Sequence, residues 1–104
     1  MSNRVVISIR KALSPDLAFR LAADRLFDYL EALDVKEITI DFTGIESISR
    51  SFAHQYTIRK ENSSKIIEEM NVPSHIERMF QIVKHPKTAT VFAGIEEVKP
   101  LVLA

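Results

Sequence analysis

The chain contains no cysteine. It therefore forms no disulfide, has no thiol nucleophile and builds no cysteine-based zinc site, and a reducing cytosol is compatible with it. Glycine occurs only at Gly44 and Gly94. That excludes the glycine-rich loops of dinucleotide-binding and P-loop proteins, whose backbones need several glycines close together to wrap a phosphate. Excess charge is missing too: 14 basic residues balance 14 acidic ones. A non-specific nucleic-acid binder needs a basic surplus to neutralise phosphates, so no nucleic-acid partner is expected. No window approaches the roughly 20 apolar residues of a membrane helix. Residues 1–10 lack the apolar run and cleavage site of a signal peptide. A cytoplasmic protein without a membrane partner is the expectation.

What is present suits one domain spanning residues 1–104, with 46% hydrophobic content. Arg4-Val5-Val6-Ile7-Ser8-Ile9-Arg10 is short and β-branched and predicts a strand, with Val5, Ile7 and Ile9 on one side. Ser14-Pro15-Asp16 carries the local signals of a helix start. Phe19, Ala22, Ala23, Leu26, Phe27, Leu30 and Leu33 follow at three-four spacing. Together these predict a helix over 14–33 with that face buried and Asp16, Arg20, Asp24, Asp28 and Glu31 on a solvated face. Residues 37–42 alternate, placing Ile38, Ile40 and Phe42 on one side of a second strand. A strand, a helix and a strand make a βαβ unit with parallel strands.

Thr43-Gly44 breaks this strand. Ser51 reads as the cap of the next helix, with Phe52, Ala53 and Tyr56 as its apolar stripe, and residues 61–64 end it. Residues 65–72 fit either a continuing helix or a strand; the Asn62-Ser63-Ser64 interruption favours the strand, with Ile66, Met70 and Val72 on one face beside Glu68. Pro73-Ser74 opens a helix with Ile76, Met79, Phe80 and Val83 at helical spacing, ended by His85-Pro86. Residues 88–93 predict a last strand, and 95–103 a short helix or tail. The fold class is therefore α/β: a mixed or parallel sheet of about four strands covered by helices.

The run Asp41-Phe42-Thr43-Gly44-Ile45-Glu46-Ser47-Ile48-Ser49-Arg50-Ser51-Phe52-Ala53 resembles the central motif of the STAS superfamily, the domains of sulfate transporters and anti-sigma-factor antagonists. More narrowly it is similar to the STAS-like group of small bacterial and archaeal domains. The resemblance implies a binding module rather than an enzyme. Its partner would be an anti-sigma factor or a histidine-kinase-like ATPase that phosphorylates a serine at the start of the helix after the central strand. In antagonists that segment reads Asp-Ser-Ser/Thr-Gly; here Ser49, Arg50, Ser51 and Phe52 fill its places. Arg50 stands at the usual phosphoacceptor place and Ser51 at the second hydroxyl place. His54 and Gln55 stand where the STAS-like group commonly has two acidic residues.

The phosphoacceptor candidates are accordingly Ser51 and Ser49. The candidate partner- or anion-binding surface comprises Thr43, Ser47, Ser49, Arg50, Ser51, His54 and Gln55. A second reading makes the same loop a nucleotide or anion sensor, with Arg50 and the helix N-terminus holding phosphate. No cofactor is called for. His54, His75 and His85 lack metal-ligand spacing. A triad of Ser51, His54 and Asp41 can be composed on paper, but no nucleophile elbow supports it, and no catalytic residue is expected.

Overall fold

The β-branched run expected as a strand over 4–10 forms β1 only over Arg4–Ser8, because Ser8 caps a short helix that takes up Ile9 and Arg10. The alternating segment expected over 37–42 forms β3 over Glu37–Asp41. The computed structural model describes residues 4–84. In chain order they form β1, a single-turn helix α1 (Ile9–Ala12), β2 (Asp16–Leu17), α2 (Arg20–Ala32), β3, β4 (Ser47–Ile48), α3 (Arg50–Glu61), β5 (Ile66–Met70) and α4 (Ser74–Lys84). The expected strand over 88–93, the segment 95–103 and the His85-Pro86 helix end lie outside the described residues.

The main sheet has the order β1-β3-β5, with β3 central. All its pairings are parallel: Val5 lies beside Ile38, and Ile38 beside Ile67. Parallel neighbours need a crossover, and α2 and α3 supply the two. Helices α2 and α3 pack together, and α4 packs on α3. Beneath them Ile38, Ile40, Phe42 and Ile67 are buried with Leu26, Phe27, Leu30, Phe52, Ile76 and Phe80. The architecture is α/β, a parallel three-stranded sheet with helices packed on it.

Tyr56 sits at the centre of that core. Its ring lies 5.1 Å from Phe27, 5.2 Å from Phe80, 6.0 Å from Phe42 and 6.3 Å from Phe52, with Phe27 and Phe42 edge-on. Each such pair adds about 0.5–1.5 kcal/mol beyond its burial. The phenol donates to Glu69 Oε2 at 2.7 Å, and Lys60 closes on Glu69 Oε1 at 2.9 Å. Residues 65–72 thus contain a strand, as favoured, but with the opposite face inward. Ile67 is buried, whereas Ile66 and Met70 are exposed. Glu69 is tolerated on the core side because Tyr56 and Lys60 bind both its oxygens.

The expected helix over 14–33 is corrected: it begins only at Arg20. Asp16 and Leu17 instead form a parallel ladder with Ser47 and Ile48. The local Ser-Pro-Asp signal loses to backbone pairing, since Pro15 and Leu17 carbonyls accept N–H groups from the loop after β3. The N-cap of α2 is Phe19, extended, without a side-chain cap, and 76% exposed rather than buried.

The charged face of α2 is also more than a solvated surface. Asp24 accepts from Gln55 and Arg59 of α3, and Asp28 pairs with the other arm of Arg59 at 2.8 Å. Glu31 accepts from Ser63 and Ser64 beyond the end of α3. These bonds tie the two crossover helices together along one side.

Candidate functional site

The site is the junction from the C-terminal end of β3 to the first turn of α3. Phe42 to Ile45 forms a tight turn, closed by Ile45 N–H donating to the Phe42 carbonyl at 3.1 Å. Gly44 takes φ +81°, a left-handed value that glycine adopts without a Cβ penalty. A Cβ here would also meet Arg10 Cδ at 2.7 Å. Thr43 is exposed but engaged: its N–H and hydroxyl both donate to Asp41 Oδ1, at 2.9 and 2.6 Å. Asn71, at the end of β5, donates to the same oxygen. The Thr43 bonds first, and then Asn71, hold the Asp41 carboxyl below the usual range.

From Ile45 onward the chain is pinned by β2. Glu46 and Ser47 N–H groups donate to the Pro15 carbonyl, and Ser49 N–H donates to Leu17 at 2.8 Å. Ser47 Oγ donates to Asp16 Oδ1 at 2.8 Å. His75 Nε2 lies 2.8 Å from the Glu46 carbonyl. A carbonyl only accepts, so Nε2 carries the proton.

The cap of α3 is Ser49, not Ser51. Ser49 is extended (φ −86°, ψ 159°) and its Oγ accepts from Phe52 N–H at 3.0 Å. The same hydroxyl donates to the Ala18 carbonyl at 2.7 Å. Arg50 and Ser51 thereby become the first two helical residues. Both are exposed, as is His54 one turn on. Among the described residues none of these three side chains makes a hydrogen bond or ion pair within the chain. Gln55, by contrast, is half-buried and donates to Asp24 at 2.8 Å. That bond first, then Arg59, keeps Asp24 below the ordinary carboxylate range.

The candidate residues therefore divide. Thr43, Ser47, Ser49 and Gln55 build and brace the junction. Arg50, Ser51 and His54 lie together on the outer side of the first turns of α3, open to solvent. Asp41 is committed to Thr43 and Asn71. Among the described residues no cluster of His, Asp and Glu is arranged to hold a metal ion. The same residues include no helix long and apolar enough to cross a membrane.

Asp16, the Ala18 carbonyl, Asn71 and His75 were not legible as parts of this junction. Each is brought there by pairing or packing from a distant stretch, and no local spacing marks it.

Residues 22–56 match the model of a family described as a STAS-like domain of unknown function (DUF4325). The match runs from α2 through the junction to Tyr56 and bears out the STAS-like resemblance. No curated protein and no solved structure matches the chain.

Proposed function

We propose that this chain is a regulatory protein–protein interaction module, similar in action to anti-sigma-factor antagonists. Its docking surface is the junction over residues 43–55, and Ser51 is its phosphoacceptor. The partner the resemblance implies is an anti-sigma factor or a histidine-kinase-like ATPase. The reading makes the chain a cytoplasmic binding module, not an enzyme, and needs no cofactor.

The observation that carries the reading is the division of labour between two serines. Ser49 spends its hydroxyl on the Phe52 N–H and the Ala18 carbonyl. Ser51 is exposed on the first turn, beside the exposed Arg50. A phosphoryl group on Ser51 adds a charge of about −2 and three acceptor oxygens. The positive end of α3 tolerates that charge, whereas a partner surface closed over the same turn does not. Phosphorylation would then block docking without unfolding the junction.

The test is incubation of the chain with the partner kinase and ATP, followed by peptide mass spectrometry. One phosphoryl group on Ser51, lost in Ser51→Ala, is the expected result. Phosphate accepted equally by Ser51→Ala contradicts the assignment. A thermal-shift panel of nucleotides addresses the sensor reading: stabilisation by nucleotide, lost in Arg50→Ala and with no protein partner co-purifying, would replace docking with ligand sensing.

A further inference from the structure

A second surface lies on the other side of β2 from the serine junction. Strand β1 ends the main sheet and pairs, among the described residues, only with β3. Beside it runs an open groove of about 1010 Å³, between β1 and α2. Leu13, Leu17 and Leu26 are among the apolar side chains that line it. Its rim carries three apolar side chains in water: Val6, 54% exposed, Phe19, 76%, and Tyr29, 51%. An edge strand with unpaired backbone groups beside exposed apolar side chains is a template for an added strand.

Charge selects what is added. The ionisable residues lining the groove are Lys11, Arg25 and Asp16, besides Tyr29. Asp16 accepts from Ser47 Oγ and keeps its charge, so the groove holds two cations against one anion. Lys11 and Arg25 are exposed and, among the described residues, in no ion pair. We infer that the β1 edge and its groove receive an extended, acidic segment of a partner chain. That segment adds to β1 through main-chain hydrogen bonds, sets its alternate apolar side chains among Val6, Phe19 and Tyr29, and directs its carboxylates to Lys11 and Arg25.

This surface is distinct from the serine junction, so its failure leaves that reading standing, and the reverse. The test uses the full chain and a short fluorescent peptide alternating glutamate and valine, read by anisotropy, with a lysine–valine peptide as control. Saturable binding of the glutamate peptide alone is expected, weakened roughly tenfold or more in Arg25→Glu. Hydrogen exchange should slow at the amides of β1 on binding. Phe19→Ser, also at an exposed position, should weaken binding while leaving the circular dichroism spectrum unchanged. Four results would overturn the inference: no saturable binding; equal binding of the lysine peptide; Arg25→Glu binding like the parent chain; or concentration-dependent dimerisation that protects β1 in place of the peptide.

Discussion

The Ser49 hydroxyl bonds the Ala18 carbonyl at 2.7 Å while accepting the Phe52 N–H at 3.0 Å. One side chain thus caps α3 and locks it to Ala18, in the connection between β2 and α2. Replacing Ser49 with alanine should cost about 1 kcal/mol for the cap, and more for the orphaned carbonyl. Ser51→Ala should change stability by less than about 0.5 kcal/mol, as for other uncommitted surface positions. Urea denaturation of the two variants distinguishes the roles. Equal losses would refute the division between a structural and a free serine.

Gly44 supports the same junction through its backbone. At φ +81° with Arg10 packed over it, an alanine meets both a disfavoured conformation and a close contact. Gly44→Ala should destabilise by about 1–2 kcal/mol. Adding Arg10→Ala should restore only part of this, because removing the guanidinium stem relieves the contact but not the backbone. Full recovery in the double variant would show that contact, not conformation, requires the glycine.

Tyr56 joins the aromatic core to the Glu69–Lys60 pair. Tyr56→Phe keeps the ring and removes the bond to Glu69, at a cost of about 1–2 kcal/mol. Tyr56→Ala also opens a cavity among Phe27, Phe42, Phe52 and Phe80 and should cost about 3–5 kcal/mol. Burial first, and then Glu69, push the phenol well above its ordinary range, so it stays protonated and donating at neutral pH. Ultraviolet titration of the tyrosines should show one that resists ionisation until the chain unfolds.

Asp24, Glu31 and Asp41 all titrate below their ordinary values in the folded chain. For Asp24 the leading cause is Gln55, for Glu31 it is Ser63, and for Asp41 it is Thr43. The folded chain then binds these protons less readily than the unfolded one. Their contribution is complete above the unfolded values of about 4 and is lost as pH falls through the lowered folded values. Denaturation over an acid series should show stability falling with pH in that window. The fall should be shallower in Asp24→Asn combined with Glu31→Gln and Asp41→Asn.

Much of the fold was legible because period and burial agree. Val5, Ile7, Ile38 and Ile40 alternate and line one side of parallel strands; Phe52, Ala53 and Tyr56 share one buried stripe of α3. The segment 14–19 was misread because Ser14-Pro15-Asp16 is a good helix start locally, and only the ladder to Ser47 and Ile48 shows otherwise. Ser49 and Ser51 looked interchangeable as caps. What separates them is the Leu17 carbonyl, which holds Ser49 extended and lies 32 positions back in the chain. The motif placed Arg50, Ser51 and His54 among the candidate residues over 43–55, with Ser49, Arg50 and Ser51 at the centre. Neither the separation of the exposed trio from the bracing residues nor the bracing by Asp16, Asn71 and His75 was legible.

The central claim is that the first turn of α3 is the docking surface and that charge on Ser51 closes it. The most direct test is the dissociation constant of the partner for the parent chain, Ser51→Ala and Ser51→Asp, each confirmed folded. The account predicts near-equal affinity for the parent and Ser51→Ala, and a loss of roughly tenfold or more for Ser51→Asp. Unchanged affinity in Ser51→Asp, with Arg50→Glu and His54→Ala also binding like the parent, would place the partner elsewhere and contradict it.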